Sequence, residues 1–322
     1  MANGRFDLVN WFARYGTILF LLLLVAGFSW ARPDVFPTKL NLLNVLNQAS
    51  ILLIIASGLT VCLVMGLFDL SIAAMATLGG YGVCKLLVDQ GDDPHVWLTV
   101  AGVLLLSGVV GVLNGALVSY LGVSAFIETL AMGSIITGAI LGYSESRTVL
   151  GGIPEAFLSL GQEATLGIPN PVIVMGGVAL LLWLLLEHTQ AGRNLYAIGG
   201  NSEAARLSGI AIKRYALVAL GISAACAALG GMVAAANLGA GRPQGVGDTY
   251  LLNAFAAVFI GASTLRPGQF HILGTLVGVL LIGVISNGLS ILGVQTFWQY
   301  IVQGVLLIAA MFGAGMVTLR RR

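Results

Sequence analysis

Charged residues are scarce in this chain. Only 9% of its 322 residues are Asp, Glu, Lys or Arg, whereas 58% are apolar and the mean hydropathy is +0.97. A soluble domain carries about a quarter charged residues, so this chain cannot cover a water-facing surface. A soluble globular enzyme is therefore excluded, and an α-helical membrane protein remains. The net charge of +2 is too small to indicate a nucleic-acid partner.

Residues that build metal, nucleotide and catalytic sites are also few. The three cysteines, Cys62, Cys84 and Cys226, lie in apolar runs without Cys-x-x-Cys spacing, which excludes a disulfide framework and a thiolate metal site. The three histidines form no paired-ligand spacing, and no lysine follows a glycine as in a Walker phosphate loop. We expect no catalytic residue, cofactor or metal here, so any ATP would be bound by another chain.

Apolar stretches long enough to cross a bilayer recur along the whole chain. A helix needs about 20 apolar residues to cross about 30 Å of hydrocarbon. The sequence predicts about ten spans, at residues 15–31, 47–67, 71–88, 96–119, 125–144, 171–187, 216–236, 250–264, 271–289 and 295–315. The predicted fold class is therefore all-α, a polytopic membrane protein that forms one transmembrane domain over residues 1–322.

The distribution of Lys and Arg predicts the orientation, because these residues resist translocation. With the N-terminus inside and ten spans, ten of the 15 Lys and Arg lie inside and five outside, which favours N-in and C-in. Residues 145–170 then form an outer loop and residues 188–215 a cytoplasmic loop. Neither is long enough for a folded soluble domain, so we expect no ligand-binding or nucleotide-binding lobe.

An internal repeat relates the fourth and ninth spans. Gly111-Val112-Leu113-Asn114-Gly115 with Leu121-Gly122-Val123 matches Gly283-Val284-Ile285-Ser286-Asn287-Gly288 with Leu292-Gly293-Val294. The two copies are five spans apart, an odd number, so we expect them to run in opposite directions. Inverted repeats are typical of transporters that build a central site with access from either side.

Polar residues inside the predicted spans, or where two spans meet, are candidates for a translocation pathway or gate, because ionisable groups in a bilayer are costly and mark function. They are Asp69, Ser71, Asn114, Glu128, Asn253 and Asn287. Structural roles compete with this interpretation. Asp69 suits a helix cap, Glu128 suits the positive end of a helix, and the amides suit hydrogen bonds between helices.

The cytoplasmic loop contains a short predicted helix. Asn201 or Ser202 is a suitable N-cap, Glu203 suits the first turn, and Gly209 ends the helix. The helix would have about two turns and would present Ala204, Ala205, Arg206 and Leu207. Such a short exposed helix cannot bury itself, and this indicates a partner surface.

Four motifs resemble those of one known family, the membrane permeases of bacterial ATP-binding-cassette importers of the ribose, xylose, arabinose and galactose type. They are Gly192-Arg193-Asn194 followed by Ala197-Ile198-Gly199-Gly200-Asn201 and Ala204-Ala205-Arg206-Leu207-Ser208-Gly209-Ile210, then Asp69-Leu70-Ser71, Asn114-Gly115-Ala116-Leu117, and Phe126-Ile127-Glu128-Thr129-Leu130. The resemblance covers nearly the whole chain from the second span onward.

This resemblance implies a function and a set of partners. Two permease subunits, as a homodimer or as a heterodimer with a paralogue, form a pathway in the bacterial inner membrane. ATPase subunits dock on the cytoplasmic side at a coupling site, and a periplasmic sugar-binding protein delivers the solute. The coupling residues would be Gly192, Arg193, Asn194, Asn201, Glu203, Ala204, Ala205, Arg206 and Gly209.

The solute is not identified by the resemblance. The family's usual Phe-Ile-Val-Thr-Leu-Gly has Glu128 and Ala131 in this chain, and its Gly-Gly-Thr-Ser-Leu has Ala262. We therefore expect a monosaccharide or a related polyol without naming it. The alternative is a self-contained secondary carrier or channel for a small polar solute, for which only Asp69 and Glu128 offer a buried charge.

Overall fold

The fold is almost entirely helical in the computed structural model, which describes residues 8–295, 297–302, 304, 305 and 308. The helices are α1 Leu8–Ala31, α2 Lys39–Val64, α3 Ile72–Asp89, α4 Val96–Leu121, α5 Ala125–Ser144, α6 Glu155–Gln162, α7 Asn170–His188, α8 Gln190–Gly200, α9 Ser202–Leu207, α10 Ile212–Leu238, α11 Val246–Ala262 and α12 Ile272–Ile291. The strands are β1 Val149–Leu150, β2 Ala164–Thr165, β3 Ile168–Pro169 and β4 Ala240–Gly241. They form two antiparallel pairs, β1 with β4 and β2 with β3.

Eight of the described helices are long and apolar enough to cross a membrane, and the shorter α11 is a further apolar helix. Each of these nine helices overlaps one of the first nine predicted spans, and the predicted all-α polytopic class is confirmed. Most of the predicted tenth span, residues 295–315, lies outside the described residues. The count of ten and the N-in, C-in orientation stay predictions.

The chain forms two compact units, residues 1–49 with 255–322 and residues 50–254. In the larger unit, α10 is the central helix, and α3 and α4 pack against it. Glycine permits this packing at Gly231, where an added Cβ would lie 1.8 Å from the carbonyl oxygen of Ala76. Close backbone approach through small residues is a common way to pack helices in lipid.

The smaller unit packs α1 against α12. The rings of Phe28 and Phe36 are 5.3 Å apart, and Phe36, Val45 and Val284 form a buried apolar cluster. The side-chain amide of Asn287 in α12 pairs with that of Asn41 in α2 through two hydrogen bonds of 3.0 Å. Paired amides satisfy polar groups that would be costly to bury alone.

Each copy of the predicted repeat has a left-handed glycine within two residues of the end of its helix. Gly122 follows α4 with φ +69°, and Gly293 follows α12 with φ +74°. This left-handed conformation favours glycine after a helix C-terminus. The local structure of the copies is therefore alike, and their inverted orientation stays a prediction.

Candidate translocation and coupling sites

The connection between α2 and α3 is a helix break that carries a buried carboxylate. Gly66 turns the chain with φ +85°, and Asp69 is completely buried. Oδ1 of Asp69 accepts the backbone N–H of Ser71 at 3.0 Å and the Ser71 hydroxyl at 2.6 Å. Asp69 therefore fixes the turn that leads into α3, whose first residue is Ile72.

Neighbouring helices are tied to this break by further hydrogen bonds. The Asn114 amide of α4 donates to the Ser71 hydroxyl at 3.3 Å, and the Leu70 N–H donates to Oγ1 of Thr129 in α5 at 3.0 Å. Ser223 of α10 lies beside Asp69. We call Asp69, Ser71, Asn114, Glu128 and Thr129 the break cluster. It joins the α2–α3 connection to two other helices.

Glu128 is the least satisfied member of the break cluster. It lies in the first turn of α5, it is 7% exposed, and neither of its carboxylate oxygens has a hydrogen-bond partner among the described residues. Asp69 lies within electrostatic range of it. Because burying a carboxylate without partners is costly, a conformation that hydrates Glu128 would recover free energy. A buried carboxylate without hydrogen-bond partners is expected in a segment that changes conformation.

The other two predicted pathway residues lie elsewhere. The Asn253 amide donates to the Thr249 carbonyl within α11 at 3.0 Å, and Asn287 is paired with Asn41. Both amides are therefore used in hydrogen bonds within or between helices. Asn41 was not predicted as a partner, because it precedes the predicted second span.

The predicted cytoplasmic loop contains two consecutive helices, α8 and α9. The Thr189 hydroxyl accepts the Gly192 N–H at 3.1 Å and caps α8, while Oδ1 of Asn201 accepts the Ala204 N–H at 2.9 Å and caps α9. Gly209 follows α9 with φ +83°. The predicted cap, short helix and glycine stop are confirmed, whereas α8 was not predicted.

Residues of the first coupling motif anchor α8. An added Cβ at Gly192 would lie 2.1 Å from the Leu186 carbonyl oxygen, which explains why this position is glycine. The Asn194 amide donates to the Tyr215 hydroxyl of α10 at 2.5 Å, and the exposed Arg193 guanidinium donates to Oε1 of Gln190. Gly192 and Asn194 thus fix the position of the helix.

The prediction that α9 presents Ala205 is wrong. Ala205 is 4% exposed, because a helix of six residues has one face toward its own unit, where α9 packs on α8 and α10. Ala204 and Leu207 are exposed instead, and Leu207 has 75% of its surface accessible. Leu207 is thus the one large apolar side chain of α9, and it is exposed.

An ion pair stiffens the exposed face of α9. The Arg206 guanidinium donates to both carboxylate oxygens of Glu203, one turn earlier. This contact lowers the pKa of Glu203 and raises that of Arg206. Because both side chains are exposed, their attraction is screened by water and contributes little to stability. Its effect is to hold the two side chains against each other.

Among the described residues, no group of three or more His, Cys, Asp or Glu could hold a metal ion. What these residues do contain is a set of membrane-length helices, a polar helix break and an exposed pair of connecting helices. These features define a subunit of a membrane transport system.

The chain belongs to the family described as the permease component of the branched-chain amino acid transport system, whose model matches residues 41–311. It is 38% identical over 307 residues to the D-allose transport system permease protein AlsC of Escherichia coli (strain K12), covering 95% of this chain and 92% of that protein. It is 35% identical over 313 residues to the ribose import permease protein RbsC of the same strain, covering 96% of each.

The ribose import permease protein RbsC of Bacillus subtilis (strain 168) is 37% identical over 298 residues, covering 92% of this chain and 91% of that protein. The predicted resemblance to ribose-type permeases is confirmed, and the chain is a transmembrane permease subunit. No solved structure is significantly similar to the chain.

Proposed function

We propose that the chain is the permease subunit of an ATP-binding-cassette importer that moves a monosaccharide or related polyol across the bacterial inner membrane. The observation that carries this proposal is its similarity, over nearly its full length, to the D-allose and ribose permeases. Partner subunits bind and hydrolyse ATP, and their cycle favours outward-open and inward-open conformations of the permease in turn.

Purification of the native complex tests this function. We expect an ATPase and a periplasmic binding protein to co-purify, and we expect mass spectrometry to find a monosaccharide or polyol in the binding protein. Uptake of labelled D-ribose and D-allose by cells with and without the gene is the matching transport assay. A complex without an ATPase would contradict the proposal.

The ATPase docks on α9 in this proposal. The exposed Leu207 enters a pocket on the ATPase, and the Glu203–Arg206 ion pair forms the polar rim beside it. Asn201 and Gly209 set the two ends of the helix, while Gly192 and Asn194 hold α8 in place behind it. Such an arrangement, an apolar anchor surrounded by polar groups, is typical of binding hot spots.

The outer loop offers a docking surface for the binding protein. It contains α6 and the β2–β3 hairpin, and two of its leucines are largely exposed, with Leu150 76% and Leu166 97% accessible. The β1–β4 pairing connects this loop to the end of α10. Motion of α10 can therefore reach the outer surface through a hydrogen-bonded strand pair.

The break cluster is the gate in this proposal. Asp69 accepts the Ser71 hydroxyl, which in turn accepts the Asn114 amide, so this chain of hydrogen bonds couples the α2–α3 connection to α4. Glu128 remains poorly satisfied until that connection moves. A second permease subunit, identical or paralogous, completes the pathway.

Transport should not depend on a proton gradient. In inverted or right-side-out vesicles with ATP clamped on the ATPase side, we expect a protonophore to leave solute uptake unchanged, because Asp69 is engaged by Ser71 and Glu128 faces no base in the break cluster. Removal of ATP is the control and should abolish uptake. Collapse of uptake by the protonophore alone would support the secondary carrier instead.

A further inference from the structure

The chain reverses along α3 before α11 begins. Gly241 lies against Cys84, since an added Cβ there would be 2.7 Å from the Cys84 Cβ, and Gly247 lies against Ala73, where an added Cβ would be 1.7 Å from the Ala73 carbonyl oxygen. Ala73 and Cys84 are both in α3, about 16 Å apart along the helix axis at helical rise. Residues 242–246 therefore run back along half of a typical hydrocarbon layer.

This return segment opens a groove between α3, α5 and the start of α11. The groove has a volume of about 480 Å³ and is lined by Thr77 of α3, Ser134 and Thr137 of α5, and Gln244 and Asp248. Small-molecule sites in proteins have volumes of about 300–1,000 Å³. The groove is therefore large enough for a monosaccharide.

The groove lies at mid-height of α5, because Ser134 and Thr137 are near the middle of a helix that runs from Ala125 to Ser144. Asp248 is exposed in it and, within the described part of the chain, makes neither a hydrogen bond nor an ion pair. A carboxylate exposed to lipid at the centre of a bilayer is costly. Asp248 therefore faces water or a polar ligand rather than lipid.

The polar groups of the groove complement a hydroxyl-rich solute. The Ser134 hydroxyl donates to the Leu130 carbonyl at 3.1 Å and the Thr137 hydroxyl to the Gly133 carbonyl at 2.8 Å, so their lone pairs remain as acceptors. The Asp248 carboxylate is a third acceptor, and the Gln244 amide supplies donors. Leucine side chains of the α2–α3 connection, of α5 and of α11 form the apolar wall that the C–H face of a sugar needs; they are Leu70, Leu130, Leu141 and Leu251.

We propose that this groove is a solute-contact site of the translocation pathway, in which Asp248 and Thr137 accept hydrogen bonds from the hydroxyls of a monosaccharide or polyol. The site rests on the proposed function for the class of its ligand. Its position at mid-membrane and its accessibility to water are independent of that function, so the two can be tested apart.

Accessibility is tested by cysteine labelling in the full complex. In Thr137→Cys and Asp248→Cys, we expect a charged, water-soluble thiol reagent to react at both positions. Ile135→Cys is the matched control, because Ile135 is 65% exposed but does not line the groove, and it should not react. The parent chain supplies the background, since its three cysteines are buried. Equal labelling of all three positions, or none at Thr137→Cys and Asp248→Cys, would overturn the proposal.

Solute contact is tested by transport of D-ribose and D-allose in proteoliposomes that contain the complete complex. We expect Asp248→Asn to lower the transport rate at least tenfold and Thr137→Val to lower it severalfold, with ATPase binding retained. Asp92→Asn, an exposed acid in the turn after α3, is the control and should transport normally. Normal transport by Asp248→Asn would refute solute contact even if the groove is labelled. If the groove is labelled but the parent complex transports neither sugar, the proposed solutes are wrong, whereas the groove is still a water-accessible site.

Discussion

Leu207→Glu should separate the permease from its ATPase and abolish uptake. Leu207 is the most exposed apolar residue of α9, and burying a leucine side chain contributes about 1.5–3 kcal/mol. Replacing it by a carboxylate removes that contribution and places a charge beside Glu203. We expect the affinity for the ATPase to fall at least tenfold, since about 1.4 kcal/mol corresponds to a factor of ten.

The measurement is co-purification of the ATPase with tagged permease, together with solute uptake. Leu166→Glu is the matched control, because it makes the same change at an exposed leucine of the outer loop. It should retain the ATPase. Amounts of folded permease in the membrane should be equal for both variants. If Leu207→Glu retains the ATPase and transports normally, α9 is not the docking site.

Helix positions in this chain could be predicted from hydropathy wherever the polar boundary is sharp. The fifth predicted span, residues 125–144, coincides with α5, because polar and glycine residues lie at both of its ends. The second predicted span does not coincide with its helix, since α2 begins at Lys39 rather than at residue 47. Its first turns contain Asn41, whose amide is satisfied by Asn287, and hydropathy cannot register a distant partner.

The two short helices α8 and α9 could likewise be predicted only where the signal is local in sequence. The caps of α9 were predictable because Asn201 and Gly209 act on their own neighbours in sequence. The burial of Ala205 was not predictable, because two turns of helix are too short for a hydrophobic periodicity that shows which face is covered. α8 was missed since its glycines disfavour a helix in isolation. Gly192 instead permits close packing on the end of α7.

The groove at Asp248 also lay beyond prediction. Arg242 and Asp248 make residues 242–249 look like an ordinary outer loop, so the predicted eighth span begins at residue 250. In the structure this segment lies along α3, and α11 starts at Val246. A sequence signal did exist in the two glycines, Gly241 and Gly247, which allow the backbone to touch α3. Their meaning depends on a contact that only the fold supplies.

Gly231→Ala should be among the most destabilising single-methyl changes in this chain. The added methyl group would lie 1.8 Å from the Ala76 carbonyl oxygen, which is backbone, so no flexible side chain can yield. Gly79 and Gly80 of α3 also approach α10 closely, since an added Cβ would lie 2.2 and 2.6 Å from backbone carbonyl oxygens of α10. The two helices must separate by more than 1 Å, roughly, to reach ordinary contact distance, and overpacking of this kind costs about 1–3 kcal/mol or more. Separation also removes the packing that replaces a hydrophobic drive in lipid.

Gly102→Ala adds the same methyl group at another position, and we expect the opposite effect on stability. Gly102 lies in α4, and an added Cβ there would meet nothing within 4 Å. Alanine is favoured over glycine inside a helix by about 1 kcal/mol, so this variant should be as stable as the parent or slightly more so. The two variants are compared by heating each detergent-solubilised protein and measuring, by size-exclusion chromatography, the fraction that stays monodisperse at each temperature. If Gly231→Ala unfolds at the same temperature as Gly102→Ala, α3 and α10 do not pack through their glycines. Because that packing also sets Asp69 beside Ser223 of α10, this position of Asp69 would then lose its support.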